Sequence, residues 1–442
     1  MFANHRIAFA VFLLAFSAAA VERTPAQNNP LPPPEAAGFE HIVVVMMENR
    51  SFDHFLGWMP GANGKQAGLT YLDSKGIAHP THALAPDYQG CGFLDPGHSY
   101  NGGRVQYNNG GADGWLLDGS DESDTNPKQA NDIYAIGYYG QSDLAFLSNA
   151  GPAFTVCDNY FAGILSATYP NRFYMHAAQT DRLSNTSTTS TLPTIWSRLE
   201  EKGLSGRCYF SDAPFLALWG SRYVKISKPL SQFLADAAAG TLPNVAYIDP
   251  RFEDEGSGTS GDDHPHADIR VGEAFLNQIY DALRSSPNWS KTVLVINYDE
   301  WGGFYDHVPP PLAPIPAASA TAGDKDGRLG FRVPCVVISP YARRSFIAHG
   351  QYDHTSILKM IEWRFGLPPL SNRDSSANNL AEVLNLSAPD SNAPAFNVPT
   401  GPFNPACPPA GAAANDPEAT EWKENLDLLH ALAIKNGFQG VK

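Results

Sequence analysis

Charge is scarce in this chain, and positive charge is scarcer still. Only 17% of the 442 residues are Asp, Glu, Lys or Arg, and 45 acids against 30 bases leave a formal net charge of −15. An excess that negative argues against nucleic acid as a partner and against tight electrostatic adsorption to anionic lipid. It leaves a phosphate substrate open, because a bound cation reverses the local field. Long apolar runs are missing too. The one candidate, Ile7 to Phe16, follows a short basic start (His5, Arg6) and closes on Ser17-Ala18-Ala19-Ala20. It falls well short of the roughly 20 residues that span a bilayer. Residues 1–20 therefore read as a secretory signal peptide, and the expected location is periplasmic or extracellular, without stable membrane insertion. Cysteine is sparse: Cys91, Cys157, Cys208, Cys335 and Cys407, none in a CxxC or other metal-ligand spacing. In an oxidising compartment two disulfides and one leftover thiol are possible, with a pairing that sequence does not give. Cys157 and Cys335 lie in apolar runs and read as buried hydrophobes.

What is present reads as one large α/β domain over residues 38–442, entered through a Pro-rich spacer within residues 21–37. Short apolar, β-rich runs stand at His41–Met46, Phe154–Val156, Val245–Ile248, Thr292–Ile296 and Val333–Ile338. Runs this continuous suit strands buried on both faces of a mainly parallel sheet. Helical patterns lie between them at Ser51–Leu56, Asn171–Gln179, Thr194–Glu201, Ile269–Leu283 and His354–Phe365. The alternation predicts a central sheet with helices on both faces, an α/β/α sandwich. Four long polar or Gly/Pro-rich connections interrupt it: Asn101–Asp132, Phe252–Asp268, Pro309–Arg328 and Asn378–Asp416. A last segment, Glu418–Lys435, has the pattern of an amphipathic helix. There is no internal repeat.

Two of the strands run straight into acids. His41–Met47 is followed by Glu48-Asn49-Arg50, and Thr292–Tyr298 by Asp299-Glu300-Trp301-Gly302-Gly303. In open α/β sheets ligands collect beyond the carboxyl ends of strands. Glu48 and Asn49 alone could be turn and cap residues, but two strands delivering carboxylates to one sheet edge ask for more. A like-charge pair at ~4 Å costs on the order of 1–4 kcal/mol at effective dielectrics of 80 to 20, and a cation relieves that cost. Glu48, Asn49, Asp299 and Glu300 are all oxygen donors, which suits Ca²⁺, Mg²⁺, Mn²⁺ or an iron ion rather than a thiolate zinc site. A third segment, Ser166-Ala167-Thr168-Tyr169-Pro170-Asn171-Arg172, places Pro170 in the first turn of a helix and Thr168 at or near its N-cap. Thr168 there either caps the helix, worth roughly 1 kcal/mol, or presents a hydroxyl where anions bind, as a nucleophile activated by the cation. Asn171 and Arg172 are then candidates to hold phosphate oxygens. Among thirteen histidines, His98, His264, His307 and His354 follow acids or glycines in turn-like contexts, as phosphate donors or general acids.

Taken together, these segments resemble the bacterial phospholipase C and acid phosphatase phosphoesterases, whose fold is similar to alkaline phosphatase. The likeness rests on MENRSFDHFLG at 47–57, DPGH at 95–98, TYPNR at 168–172, DDHPHAD at 262–268, YDEWGGFYDHVPPP at 298–311 and RVPCVVISPYAR at 332–343. It implies Glu48, Asn49, Asp299 and Glu300 as metal ligands, Thr168 as nucleophile, and His98 and His264 as phosphate-binding or acid–base groups. Thr168 and Glu300 look more like the phospholipases than the acid phosphatases, while a long C-terminal extension found in many phospholipases C is missing. A phospholipid phosphodiesterase is thus the expected activity, a phosphate-scavenging monoesterase the alternative, and a catalytically inactive phosphate-binding protein the third.

Overall fold

A computed structural model describes residues 31–117, 130–252, 260–408 and 417–442. The proposed signal peptide lies outside the described residues. At the centre is a sheet of eight strands: β1 His41–Met47, β2 Thr155–Cys157, β3 Gly206–Phe210, β4 Ser227–Pro229, β5 Val245–Asp249, β6 Thr292–Tyr298, β7 Cys335–Ile338 and β8 Phe346–Ala348. Their order across the sheet is β8-β2-β7-β6-β1-β5-β3-β4. All run in one direction except β7, which is antiparallel to both β6 and β2. The expected mainly parallel α/β sheet is present. Strands β1 and β6 lie at its middle and are buried along their whole length, which is why both read as unbroken apolar runs.

The principal helices are α1 Phe52–Leu56, α2 Tyr100–Tyr107, α3 Thr168–Ala177, α4 Ile195–Glu201, α5 Leu230–Ala239, α6 Ile269–Arg284, α7 His354–Phe365 and α8 Pro417–Asn436. Their starts are set by local chemistry. Ser51, Asp268 and Asp353 each accept a backbone N–H of the first turn, at α1, α6 and α7, a cap worth about 1 kcal/mol. Helix α7 stops at Gly366, whose φ of +62° is cheap only for glycine.

Several expectations need correction. The connection Asn101–Asp132 is not structureless at its start, because Ser99 caps α2 there. Pro309–Arg328 contains a short helix, Ala317–Ala322. Phe154 and Val333 stand just outside their strands. Strands β3, β4 and β8 and helix α5 carry too little periodic signal to stand out: β3 is GRCYF and β4 is SKP. The structure holds a disulfide between Cys91 and Cys407. Cys157, Cys208 and Cys335 are free and buried, so the second bridge is not formed. No helix among the described residues is long and apolar enough to cross a membrane.

Candidate active site

Strands β1 and β6 pair in parallel with Met47 opposite Tyr298. That register sets Glu48-Asn49 beside Asp299-Glu300 at one sheet edge. The two loops are knitted together: the Asn49 N–H donates to Asp299 Oδ1 at 3.3 Å, and the Glu300 N–H to the same oxygen at 2.7 Å. Asn49 itself has a φ of +59°, a conformation asparagine tolerates better than most residues. The glycine pair explains the close approach. A Cβ on Gly302 would lie 2.2 Å from the Asn49 carbonyl oxygen, and one on Gly303 would lie 2.6 Å from the carbonyls of Pro96 and Gly97. Gly303 thereby admits the loop that carries His98.

His98 accepts no freedom from that loop. Its Nδ1 donates to the Pro96 carbonyl at 2.9 Å, which leaves Nε2 facing the site, 3.4 Å from Asn49 Nδ2 and 3.7 Å from Glu300 Oε1. His264 is held in the same way, by the Pro265 carbonyl at 2.6 Å, and its ring centroid lies 6.2 Å from that of His98. Burial, reinforced by His98, holds the His264 imidazole well below the usual histidine range, so it stands neutral at pH 7. Thr168 completes the cluster. It is the first residue of α3 after the N-cap, Ala167, and its side chain does not cap the helix. Pro170 is in the first turn as expected. The Thr168 hydroxyl instead points to Asn49 Oδ1 at 3.5 Å, the outer limit of a hydrogen bond. Glu48, Asn49, His98, Thr168, His264, Asp299 and Glu300 are each fully buried.

Four other expected residues have different surroundings. Asn171 accepts the Ile164 N–H at 2.9 Å and donates to the carbonyls of Ser166 and Ala167 at 2.7 and 3.0 Å, so it shapes the turn that presents Thr168. Arg172 is buried among Glu48, Asp249 and Asp299. His354 lies behind the site: its Nε2 donates to the Asp299 carbonyl at 2.6 Å, and its Nδ1 meets the Tyr160 hydroxyl at 3.1 Å. Burial pulls the His354 pKa down to about 3, so the ring is a neutral brace. His307 belongs to a separate cluster with Asp53 and Asp306, whose ligand atoms are close enough to share an ion. Arg332 already donates to both carboxylates there, at 3.1 Å to Asp53 and 2.9 Å to Asp306. Its charge does the work that a cation would do.

Two acids escaped the sequence reading. Asp249 ends β5, beside β1, and the rule that singled out Glu48 and Asp299 applies equally to an acid after Val245–Ile248. Asp262 lies within the DDHPHAD run; its carbonyl accepts the Glu48 N–H at 2.9 Å and its buried Oδ2 has no hydrogen-bond partner among the described residues. Glu48 Oε2 is likewise buried without one. Burial drives the Glu48 carboxyl well above its usual range and lifts Asp299 to about 6, although Arg172 opposes both shifts. Buried carboxylate oxygens without partners are costly. The oxygen-rich set Glu48, Asn49, Asp299 and Glu300 therefore fits a hard divalent cation.

A phosphoesterase family model matches residues 39–368. The chain belongs to that family and is a hydrolase acting on phosphoric ester bonds. It is 32% identical to phospholipase C B of Mycobacterium tuberculosis over 81% of this chain and 80% of that protein. It is 30% identical to non-specific phospholipase C1 of Arabidopsis thaliana, over 87% and 78% of the two chains. Among solved structures it is similar to the lipoteichoic acid synthase LtaP of Listeria monocytogenes, with a TM-score of 0.40 at 8% identity over 93% of this chain and 94% of that one.

Proposed function

We propose that this protein is an exported, metal-dependent phosphodiesterase of the phospholipase C type that uses Thr168 as its nucleophile. The observation that carries the reading is the convergence of Thr168 on two acid-bearing strand ends, Glu48-Asn49 and Asp299-Glu300. The phospholipase C relatives, aligned over most of their length, support the diester branch. When bound at Glu48, Asn49, Asp299 and Glu300, a divalent cation lowers the pKa of a coordinated hydroxyl and offsets charge on the phosphate.

The chain's own residues define the rest. Thr168, at the N-terminus of α3, loses its hydroxyl proton to solvent and attacks phosphorus in line with the departing alcohol, forming a Thr168 Oγ–P bond as the P–O bond to the alcohol breaks; it regains that proton when water cleaves the phosphothreonine. His98, oriented by Pro96, gives a proton to the leaving oxygen and in the second half takes one from the water that cleaves the phosphothreonine. His264, neutral before substrate arrives, takes up a proton at Nε2 as the phosphate anion binds and then donates to the phosphate oxygens as charge builds in the transition state.

The experiment is hydrolysis of a phosphatidylcholine and of a simple phosphate monoester by wild type, Thr168→Ala and Thr168→Ser, with and without chelator. A folded, inactive Thr168→Ala with an active Thr168→Ser and a chelator-silenced wild type upholds the mechanism. A monoester preference moves the protein to the acid phosphatase branch. Turnover by Thr168→Ala would reduce Thr168 to a structural role. Export is read from residues 1–20 and is checked by the N-terminal sequence of protein recovered outside the cytoplasm; an intact Met1 there overturns it.

A further inference from the structure

One guanidinium sits at the middle of the acidic cluster. Arg172 lies one turn after Thr168 on α3, so a single helix carries the proposed nucleophile and this cation. Each of its nitrogens faces a protein oxygen: Nε lies 3.1 Å from Asp299 Oδ2, Nη1 3.1 Å from Asp249 Oδ1, and Nη2 2.8 Å from Glu48 Oε1 and 3.2 Å from the Met46 carbonyl. Asp249, Glu48 and Asp299 belong to the ends of β5, β1 and β6, which are neighbours in the sheet. Arg172 thus ties three adjacent strand ends together. Asp249 is itself fixed on its other oxygen by the Cys208 thiol at 3.7 Å. The Phe252 ring closes over the guanidinium, 4.8 Å from centroid to Cζ.

We infer that Arg172 and Asp249 are a positioning pair that acts on the bound divalent cation through Glu48 and Asp299, and that Arg172 does not touch the substrate phosphate. The inference rests on the cation reading above. Two carboxylates at one site repel each other and splay unless something spaces them. The planar fork of an arginine fixes both distance and direction, which a lysine point charge does not. Asp249 has a second effect. It offsets part of the guanidinium charge, so that Arg172 orders Glu48 and Asp299 without displacing the cation they share. Partners of metal ligands commonly govern affinity in this way.

The test uses the full chain, with Mn²⁺, Mg²⁺ and Ca²⁺ binding measured by titration calorimetry alongside monoester hydrolysis. Arg172→Lys keeps the charge and loses the fork; Asp249→Asn removes one negative charge and one anchor. Both are expected to weaken cation affinity about 10–100-fold. KM should stay within about twofold once the cation is saturating, and excess cation should restore most of the rate. Unchanged cation affinity in folded Arg172→Lys, with a KM raised tenfold that excess cation does not rescue, would make Arg172 a phosphate contact and overturn the inference. If Arg172→Lys fails to fold, Asp249→Asn decides alone: wild-type affinity there overturns the pair. Wild type that binds none of the three ions removes the cation reading and the inference with it. Wild type that binds, with variants indistinguishable from it, removes the inference only.

Discussion

The Thr168 hydroxyl stands 3.5 Å from Asn49 Oδ1 although the two residues are 119 positions apart in sequence. Neither belongs to a regular repeat, and each is delivered by the end of a rigid element, α3 for Thr168 and β1 for Asn49. As the proposed nucleophile, Thr168 should behave all-or-none. Thr168→Ala is expected to lose at least about 10³ in kcat while its melting temperature stays near that of wild type. Thr168→Ser, which keeps the hydroxyl, should remain within about tenfold. Parallel thermal melts and steady-state assays check this.

His98 should be separable from His264. With Nδ1 tied to Pro96, only Nε2 of His98 faces the site, and His98→Asn is expected to cost about 10²–10⁴ in kcat. A substrate with a good leaving group needs no proton donor. The loss should therefore shrink for a nitrophenyl ester and stay full for an alkyl one, and comparing the two esters checks the assignment.

Arg332 is the buried counterion of Asp53 and Asp306, both of them fully buried. Burial lifts Asp306 to about 6 even with Arg332 beside it. Arg332→Met would strand two carboxylates, and a loss of about 3–5 kcal/mol is expected. Chemical denaturation of the variant measures it. Unchanged stability would show that the cluster takes its compensating charge from another source.

Glu273 gives a pH dependence away from the site. Its Oε2 accepts the backbone N–H groups of Phe146 and Leu147, and Oε1 is buried with no hydrogen-bond partner among the described residues. Burial, with Asp263 adding to it, raises its pKa from 4.5 to about 8. The folded state holds the proton more tightly than the unfolded chain does. The stability this contributes is complete below pH 4.5 and is lost as pH rises through about 8. Glu273→Gln should flatten the decline between those values and be the more stable protein at pH 9, on the order of a few kcal/mol. Denaturation midpoints of both proteins at pH 5, 7 and 9 check the sign.

The bridge between Cys91 and Cys407 closes a separation of 316 residues and pins the chain near Pro405 against Gln89, whose Nε2 donates to the Pro405 carbonyl at 3.1 Å. Cys407→Ser is expected to cost about 2–5 kcal/mol. Wild type should expose three reactive thiols on denaturation without reductant, from Cys157, Cys208 and Cys335. A count of one would mean that a second bridge has formed.

Much of this was legible in the sequence because a parallel sheet writes itself plainly. Strands β1, β5 and β6 are buried on both faces, so each is a continuous apolar run, and an acid at the end of such a run marks the ligand-bearing sheet edge. Ser51, Asp268 and Asp353 likewise announce their helices, because a cap acts through near neighbours. Strands β3, β4 and β8 did not show. GRCYF and SKP carry no pattern of their own, and their pairing comes from the strands beside them.

The site divides along the same line. The residue types at positions 48, 49, 98, 168, 264, 299 and 300, and the family to which they point, follow from sequence, since each is set by a short local motif. Partners did not follow. Arg172, His307 and His354 all looked free to meet a phosphate, and only the tertiary structure turned Arg172 onto three carboxylates, set His307 beside Asp53, and put His354 behind Asp299. The register of β1 against β6 and the approach allowed by Gly302 and Gly303 are contacts across hundreds of residues. Their geometry depends on the packed sheet as a whole, and no local run of side chains encodes it.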